Sequence, residues 1–196
     1  MDLQLIFSTP VYIKDIATEA FNQELEKNIF SWAKEDGGIT KTNVNGWHSA
    51  DNMHERKEFK GLVDLLFEAQ YFIYKQEIME FEPVLENMWA NINPPGGYNI
   101  PHIHPNSLWS GVYYVKTPNN CGSLILDDPK TQSHMMIPKR KSGIIPPSFL
   151  WKQIEYIPKA GRLIMFPSWL NHWVNPNKSD DTRISVSFNF TQKSII

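Results

Sequence analysis

The chain has 196 residues, with 19 lysines and arginines against 21 aspartates and glutamates, a formal net charge of -2. That balance gives no general reason to bind nucleic acid or an anionic membrane. The single cysteine, Cys121, excludes an internal disulfide and suits a reducing compartment, while the length suffices for one core without staples. There is neither a basic-then-apolar leader nor a spanning-length apolar run, so a single domain over 1–196, cytoplasmic and not membrane-bound, is expected.

In chain order, Leu3, Leu5 and Phe7, then Pro10 and Val11-Tyr12-Ile13, predict a broken strand at a sheet edge. Phe21, Leu25, Ile29 and Trp32 recur at helical spacing and predict a helix over about 16–34, stopped by Gly37-Gly38. Residues 39–54 are polar and read as a connecting loop, one that could also lie over a site opening. Phe59, Leu62, Val63, Leu66 and Ile73 predict a second helix over about 55–76 with a core-facing stripe.

After Pro83 the pattern changes to short extended runs punctuated by Pro, Gly and Asn. Strands are predicted at 85–93, 107–116, 123–126, 143–145, 150–157, 162–166, 172–174 and 183–191. Eight short strands suit a double-stranded β-helix, or jelly roll. With the helical support of 1–82 bracing one sheet of the 83–196 core from outside, the fold class is α+β.

The chemistry concentrates in His102-Ile103-His104. On an extended strand, spacing i, i+2 points both imidazoles to one side of the sheet, where they can meet one cation. His172 is the candidate third ligand. His48, His54 and His134 read as surface or satisfied core histidines. Downstream of His172, Pro176-Asn177 predicts a turn after which the chain returns as a strand, bringing Arg183 back beside His172. On that strand Arg183, Ser185 and Ser187 share one face and Ile184, Val186 and Phe188 the other. An inward-facing arginine expects an anion, because guanidinium binds carboxylate through two parallel N–H bonds. Ser110 and Tyr114 are expected to face the same pocket, with a plain core role for the Tyr113-Tyr114 pair as the alternative.

The run Gly161-Arg162-Leu163-Ile164-Met165-Phe166-Pro167, then His172, then Thr182-Arg183-Ile184-Ser185-Val186-Ser187, resembles the distal half of an iron(II)/2-oxoglutarate-dependent oxygenase of the prolyl-hydroxylase type. With His102-Ile103-His104-Pro105 and Ser110-Gly111-Val112-Tyr113-Tyr114-Val115, it is similar to a family of such oxygenases from bacteria and their phages. The likeness is close from about residue 82 onward and loose before it. It implies Fe(II), 2-oxoglutarate as cosubstrate and O2, and a dioxygenase that hydroxylates a prolyl peptide or a small metabolite. In a phage-encoded protein the compartment would be the host cytoplasm. The resemblance makes His102 and His172 iron ligands, Arg183 the clamp on the distal carboxylate of 2-oxoglutarate, and Tyr114, Ser185 and, more weakly, Ser110 its helpers. Asn91, on the preceding strand, is either a further inward group or a structural amide.

One departure stands out: His104 occupies the place where the superfamily has a carboxylate ligand. It is taken as the third ligand, with Asp127 and Asp128 as reserves, although Pro129 marks both as turn residues. Trp47, Asn106, Trp109, Trp151 and Trp169 are candidates to line the opening. Two other readings stand beside this one: a three-histidine, cupin-like metalloenzyme that does not use 2-oxoglutarate, and a non-catalytic jelly-roll binding module. Free sheet edges would allow a homodimer.

Overall fold

A computed structural model describes residues 1–136 and 138–193; the side chain of His134 lies outside that description. Strand β1 (Tyr12–Asp15) leads into helix α1 (Glu19–Glu35), which Thr18 caps by accepting the Phe21 N–H at 3.4 Å. Two short strands follow, β2 (Asn43–Val44) and β3 (Trp47–His48), and then helix α2 (Lys60–Glu77). The remaining strands are β4 (Pro83–Asn93), β5 (Tyr98–His102), β6 (Trp109–Lys116), β7 (Leu124–Asp127), β8 (Gln153–Tyr156), β9 (Arg162–Pro167), β10 (His172–Val174) and β11 (Arg183–Gln192).

From β4 onward the chain passes back and forth between two antiparallel sheets, with only β7 and β8 consecutive in one of them. One sheet has the order β1-β9-β6-β11-β4-β3 and the other β2-β5-β10-β7-β8. This alternation of β4 to β11 is a jelly roll. The apolar stripe of α1, through Leu25, Ile29 and Trp32, and that of α2, through Leu62, Leu66 and Ile73, share a core with Ile184, Val186, Phe188 and Phe190 on the outer face of β11. Leu62, Leu66, Phe188 and Phe190 are fully enclosed, and a leucine truncated to alanine in such a place costs about 2–5 kcal/mol. A smaller core between the sheets joins Val112, Tyr114, Leu124, Leu126, Ile164, Phe166 and Leu170. Among the described residues, no helix is long and apolar enough to cross a membrane.

The strand predictions need three corrections. Of the expected broken edge strand only β1 forms, since Leu3, Leu5 and Phe7 lie exposed outside any strand, with Phe7 at φ +56°. Residues 143–145 are not a strand: Gly143 has φ +76°, and Ile144 and Ile145 are 63% and 82% exposed and pair with no strand among the described residues. The eighth jelly-roll strand is β5 instead. Its pairing with β10 slips by one residue between His172↔His102 and Val174↔Asn99. That bulge lies where Pro101, which has no N–H to give to a ladder, would otherwise interrupt it. The second helix also starts later than predicted. Arg56 is extended and lays its guanidinium 4.5 Å from the Trp32 ring centroid, so 53–59 form two 3-10 turns.

The polar stretch 39–54 is more than a connector, because its halves extend different sheets. Strand β2 pairs with β5 and β3 pairs with β4, joined through Asn45 at φ +51°. The 175–182 segment is not a hairpin either. The Asn177 side chain holds the carbonyls of Asn93 at 2.9 Å and Asp181 at 2.8 Å, and the turn so fixed carries the chain across to the other sheet. His172 and Arg183 therefore sit on facing sheets rather than side by side.

Candidate active site

The polar positions of β11 organise the cavity between the sheets. Alternation along the strand aims Arg183, Ser185, Ser187 and Asn189 away from the helices, and antiparallel pairing turns each into a cross-strand row. Ser185 lies between Tyr114 and Asn91, Ser187 between Val112 and Trp89, and Asn189 between Ser110 and Asn87; Arg183 faces Asn93. The rows thus run from the arginine at one end to an amide and hydroxyl group at the other.

The histidines gather opposite this face. His102 ends β5 and pairs directly with His172 on β10. His104 lies just beyond β5, with its N–H held by the Ser168 carbonyl at 2.9 Å. Ring centroids are 4.3 Å apart for His102 and His172, 5.1 Å for His104 and His172, and 4.9 Å for His102 and His104. One nitrogen from each ring falls within 4.8 Å of the others, and this is the one group of three or more potential metal ligands among the described residues. Asp127 and Asp128 do not join it. Asp127 accepts from Asn171 Nδ2 at 3.4 Å, while Asp128 caps the turn at Lys130 N and pairs with Lys130 Nζ.

Two of the rings are oriented by the backbone. His102 Nδ1 is 2.7 Å from the Ile100 carbonyl and His172 Nδ1 is 2.8 Å from the Leu170 carbonyl. A carbonyl can only accept, so Nδ1 carries the proton and Nε2 is left with its lone pair. Burial, with help from His102, pushes His172 down to about 3, and burial with His102 and Lys41 pushes His104 down to about 4. Burial also lowers His102. All three imidazoles are therefore neutral at pH 7, the form that binds a metal.

At the other end Arg183 is 1% exposed. Its Nη1 donates to the carbonyls of Cys121, Gly122 at 3.2 Å and Asn175 at 3.4 Å, while its Nη2 has no partner among the described residues. Gly122 makes this approach feasible: at φ +86°, a Cβ there would come within 2.1 Å of the Asn175 carbonyl oxygen and 2.8 Å of Nη1. The hydroxyl of Tyr114 and the Oδ1 of Asn91 are likewise buried without a partner among the described residues. Burial raises the Tyr114 phenol, which therefore stays a donor. The guanidinium nitrogen and the phenol, two buried donors left unsatisfied beside one space, form a cradle for an anion, whereas Asn91 Oδ1 is an acceptor and its Nδ2 donates to Ser187 Oγ at 3.3 Å.

Arg183, Tyr114, Ser185 and Asn91 all line this cavity together with the three histidines. Ser110 does not. It lies four residues from Tyr114, about 13 Å along a strand, and instead its hydroxyl donates to Asn189 Oδ1 at 2.6 Å and sits 2.8 Å from Ser168 Oγ. The cavity wall includes Trp89, Thr42 and Asn99, none of them singled out in the sequence. Of the aromatic residues expected at the opening, Trp47 and Trp109 point elsewhere: Trp47 Nε1 donates to the Asp36 carbonyl, and Trp109 packs in the helix-side core. Trp151 lines a separate cleft with Leu5, Phe7 and Phe149. His48 is buried and stacked on Trp89, the core role expected of it.

A family model described as "Putative 2OG-Fe(II) oxygenase" matches residues 87–189, the span from β4 to β11 that carries the three histidines, Arg183, Tyr114, Ser185 and Asn91. Comparison with curated proteins returned no match. Among solved structures, a Pseudomonas putida prolyl-4-hydroxylase superposes with TM-score 0.66 at 14% identity, covering 95% of each chain. A Trichoplax adhaerens prolyl hydroxylase, solved with a hypoxia inducible factor peptide, gives 0.65 at 14% identity over 93% of this chain and 83% of its own. The epimerase SnoN from nogalamycin biosynthesis gives 0.67 at 10% identity, over 94% and 79%. At such identities the likeness is one of fold. It is the family match, extending over more than half of the chain and including the three histidines and Arg183, that makes this protein a member of the 2OG-Fe(II) oxygenases, with Fe(II), 2-oxoglutarate and O2 as its cofactors.

Proposed function

We propose that the protein, acting as one domain in the cytoplasm, is a 2-oxoglutarate-dependent hydroxylase in which His102, His104 and His172 hold the iron. Arg183 and Tyr114 bind the far carboxylate of 2-oxoglutarate, helped by Ser185 and Asn91. The observation that carries this reading is the polarity of one cavity: three neutral imidazoles at one end and an unsatisfied guanidinium and phenol at the other. A dicarboxylic keto acid has matching ends, one that chelates a cation and one that pairs with a guanidinium.

The donor set fits iron. Three imidazoles on one side leave the other coordination positions open, as in two-histidine-one-carboxylate sites, but add no negative charge. When bound, iron would supply oxidative decarboxylation of 2-oxoglutarate by O2 to succinate and CO2, with the second oxygen atom delivered to a substrate C–H as hydroxyl. The protein's part is to orient and exclude. The Ile100 and Leu170 carbonyls fix two ring tautomers. Phe166, with its ring centroid 4.7 Å from that of His172, and Leu124 keep the inner wall apolar. Trp89, Thr42 and Asn99 line the same cavity and would bound the space for a small-molecule or peptide substrate.

The reading is tested without knowing the substrate. Protein given Fe(II), 2-oxoglutarate and air should release succinate slowly in an uncoupled reaction, and His172→Ala should abolish it. Metal binding with no succinate would favour a three-histidine enzyme that does not use the keto acid; absence of metal binding would favour the binding module.

A further inference from the structure

His104 lacks the device that orients its two companions. Where His102 and His172 meet backbone carbonyls, His104 Nδ1 meets Asn189 Nδ2 at 3.5 Å, the outer limit of a hydrogen bond. Asn189 is 4% exposed and embedded in its cross-strand row. Its Nδ2 donates to Asn87 Oδ1 at 2.7 Å, its Oδ1 accepts from Ser110 Oγ at 2.6 Å, and Ser110 Oγ is 2.8 Å from Ser168 Oγ. Ser168 closes the circuit through its carbonyl, which accepts the His104 N–H at 2.9 Å. Backbone and ring of His104 are thus tied to one buried polar network.

The direction of that network matters. With an N–H of Asn189 facing Nδ1, the neutral ring carries its proton on Nε2 and cannot ligate through it. The amide oxygen and nitrogen of an asparagine can exchange places by a half-turn about the side chain. Turning both amides gives an equally complete network: Asn87 Nδ2 donates to Asn189 Oδ1, Asn189 Nδ2 to Ser110 Oγ, and Ser110 to Ser168. Asn189 Oδ1 then also accepts Nδ1–H from His104, which frees Nε2. We propose that Asn189 is a positioning residue that sets the tautomer of His104 by this reversal, doing for an imidazole what a carboxylate ligand would not need. The inference rests on His104 being a ligand. It goes beyond that reading by making the third ligand conditional on a side chain that does not reach the metal.

The test is anaerobic calorimetric titration of the full chain with Mn(II). Asn189→Leu should weaken binding about 10–100-fold, the usual effect of losing a partner of a ligating histidine. Asn189→Asp, an acceptor of the same shape, should bind at least as tightly as the native chain. In a His104→Asp background, where the ligand has no tautomer to fix, the Asn189→Leu penalty should shrink. The inference is overturned if Asn189→Leu binds like the native chain, if its penalty is the same in both backgrounds, or if Asn189→Asp weakens binding tenfold or more. Should the leucine variant not fold, the aspartate result alone decides. A native chain that takes up no Mn(II) would instead sink the ligand assignment itself.

Discussion

Replacing Arg183 by methionine removes a guanidinium that is 1% exposed and keeps a side chain of similar length. Two costs separate cleanly. In the fold, the carbonyls of Cys121, Gly122 and Asn175 lose their shared donor. Since unpaired buried acceptors cost about 1–3 kcal/mol and the removed charge no longer has to be desolvated, the net loss should be about 1–3 kcal/mol. In binding, truncating one partner of a buried hydrogen-bonded charge pair costs about 2–5 kcal/mol, which is roughly 30-fold to several thousand-fold in Kd. The metal should hardly notice, because Arg183 stands at the opposite end of the β11 face from the row facing His104. The assay is titration of 2-oxoglutarate into anaerobic Mn(II)-loaded protein, with Mn(II) affinity measured in parallel. Arg183→Lys, which keeps the charge and loses the fork, should fall between methionine and the native chain. Unchanged 2-oxoglutarate affinity alongside lost metal affinity would refute the assigned roles.

Further outcomes follow from the same geometry. His104→Asp should retain metal and preserve or raise turnover if His104 stands in an ordinary carboxylate position; loss of Mn(II) binding would mean a site built for three imidazoles. Gly122→Ala puts a Cβ 2.1 Å from the Asn175 carbonyl oxygen at a φ of +86°, so thermal melts should register a loss of at least about 2 kcal/mol, and 2-oxoglutarate affinity should fall with it. An unchanged melt would mean that the turn relaxes freely. The pH dependence of the metal-free protein has a definite sign. His172 sits at about 3 in the fold against an ordinary value of 6.5, so the unfolded chain takes up a proton first as pH falls. This contribution is complete above pH 6.5 and is lost between 6.5 and about 3. Urea midpoints should therefore drop over that window, and His172→Asn should flatten the drop.

Much of this was legible in the sequence because strand periodicity ties residue type to direction. Arg183, Ser185 and Ser187 opposite Ile184, Val186 and Phe188 could hardly belong to anything but a strand with a polar cavity on one side and a core on the other. Asn189 continues that alternation and could have been read the same way. Its role was hidden because it depends on Ser110, Asn87 and His104, brought together only by pairing. Pro101 concealed β5, since a proline argues against a strand until a bulge is seen to absorb it. The placement of Arg183 across from His172 is not legible for a similar reason: Pro176-Asn177 announces a turn, but the bonds from Asn177 to Asn93 and Asp181 decide which sheet the chain joins. Ile144 and Ile145 misled in the opposite direction, being apolar residues that no strand pairs with and no core covers.

The central claim, one cavity holding iron at its histidine end and 2-oxoglutarate between iron and Arg183, is tested most directly by adding Fe(II) and then 2-oxoglutarate to metal-free protein under anaerobic conditions. Chelation of the keto acid gives a visible charge-transfer band. The account predicts that the band forms with the native chain, requires His172, and in Arg183→Met appears only at much higher 2-oxoglutarate. Bound iron with no band at any keto acid concentration, or a band indifferent to Arg183, would contradict it.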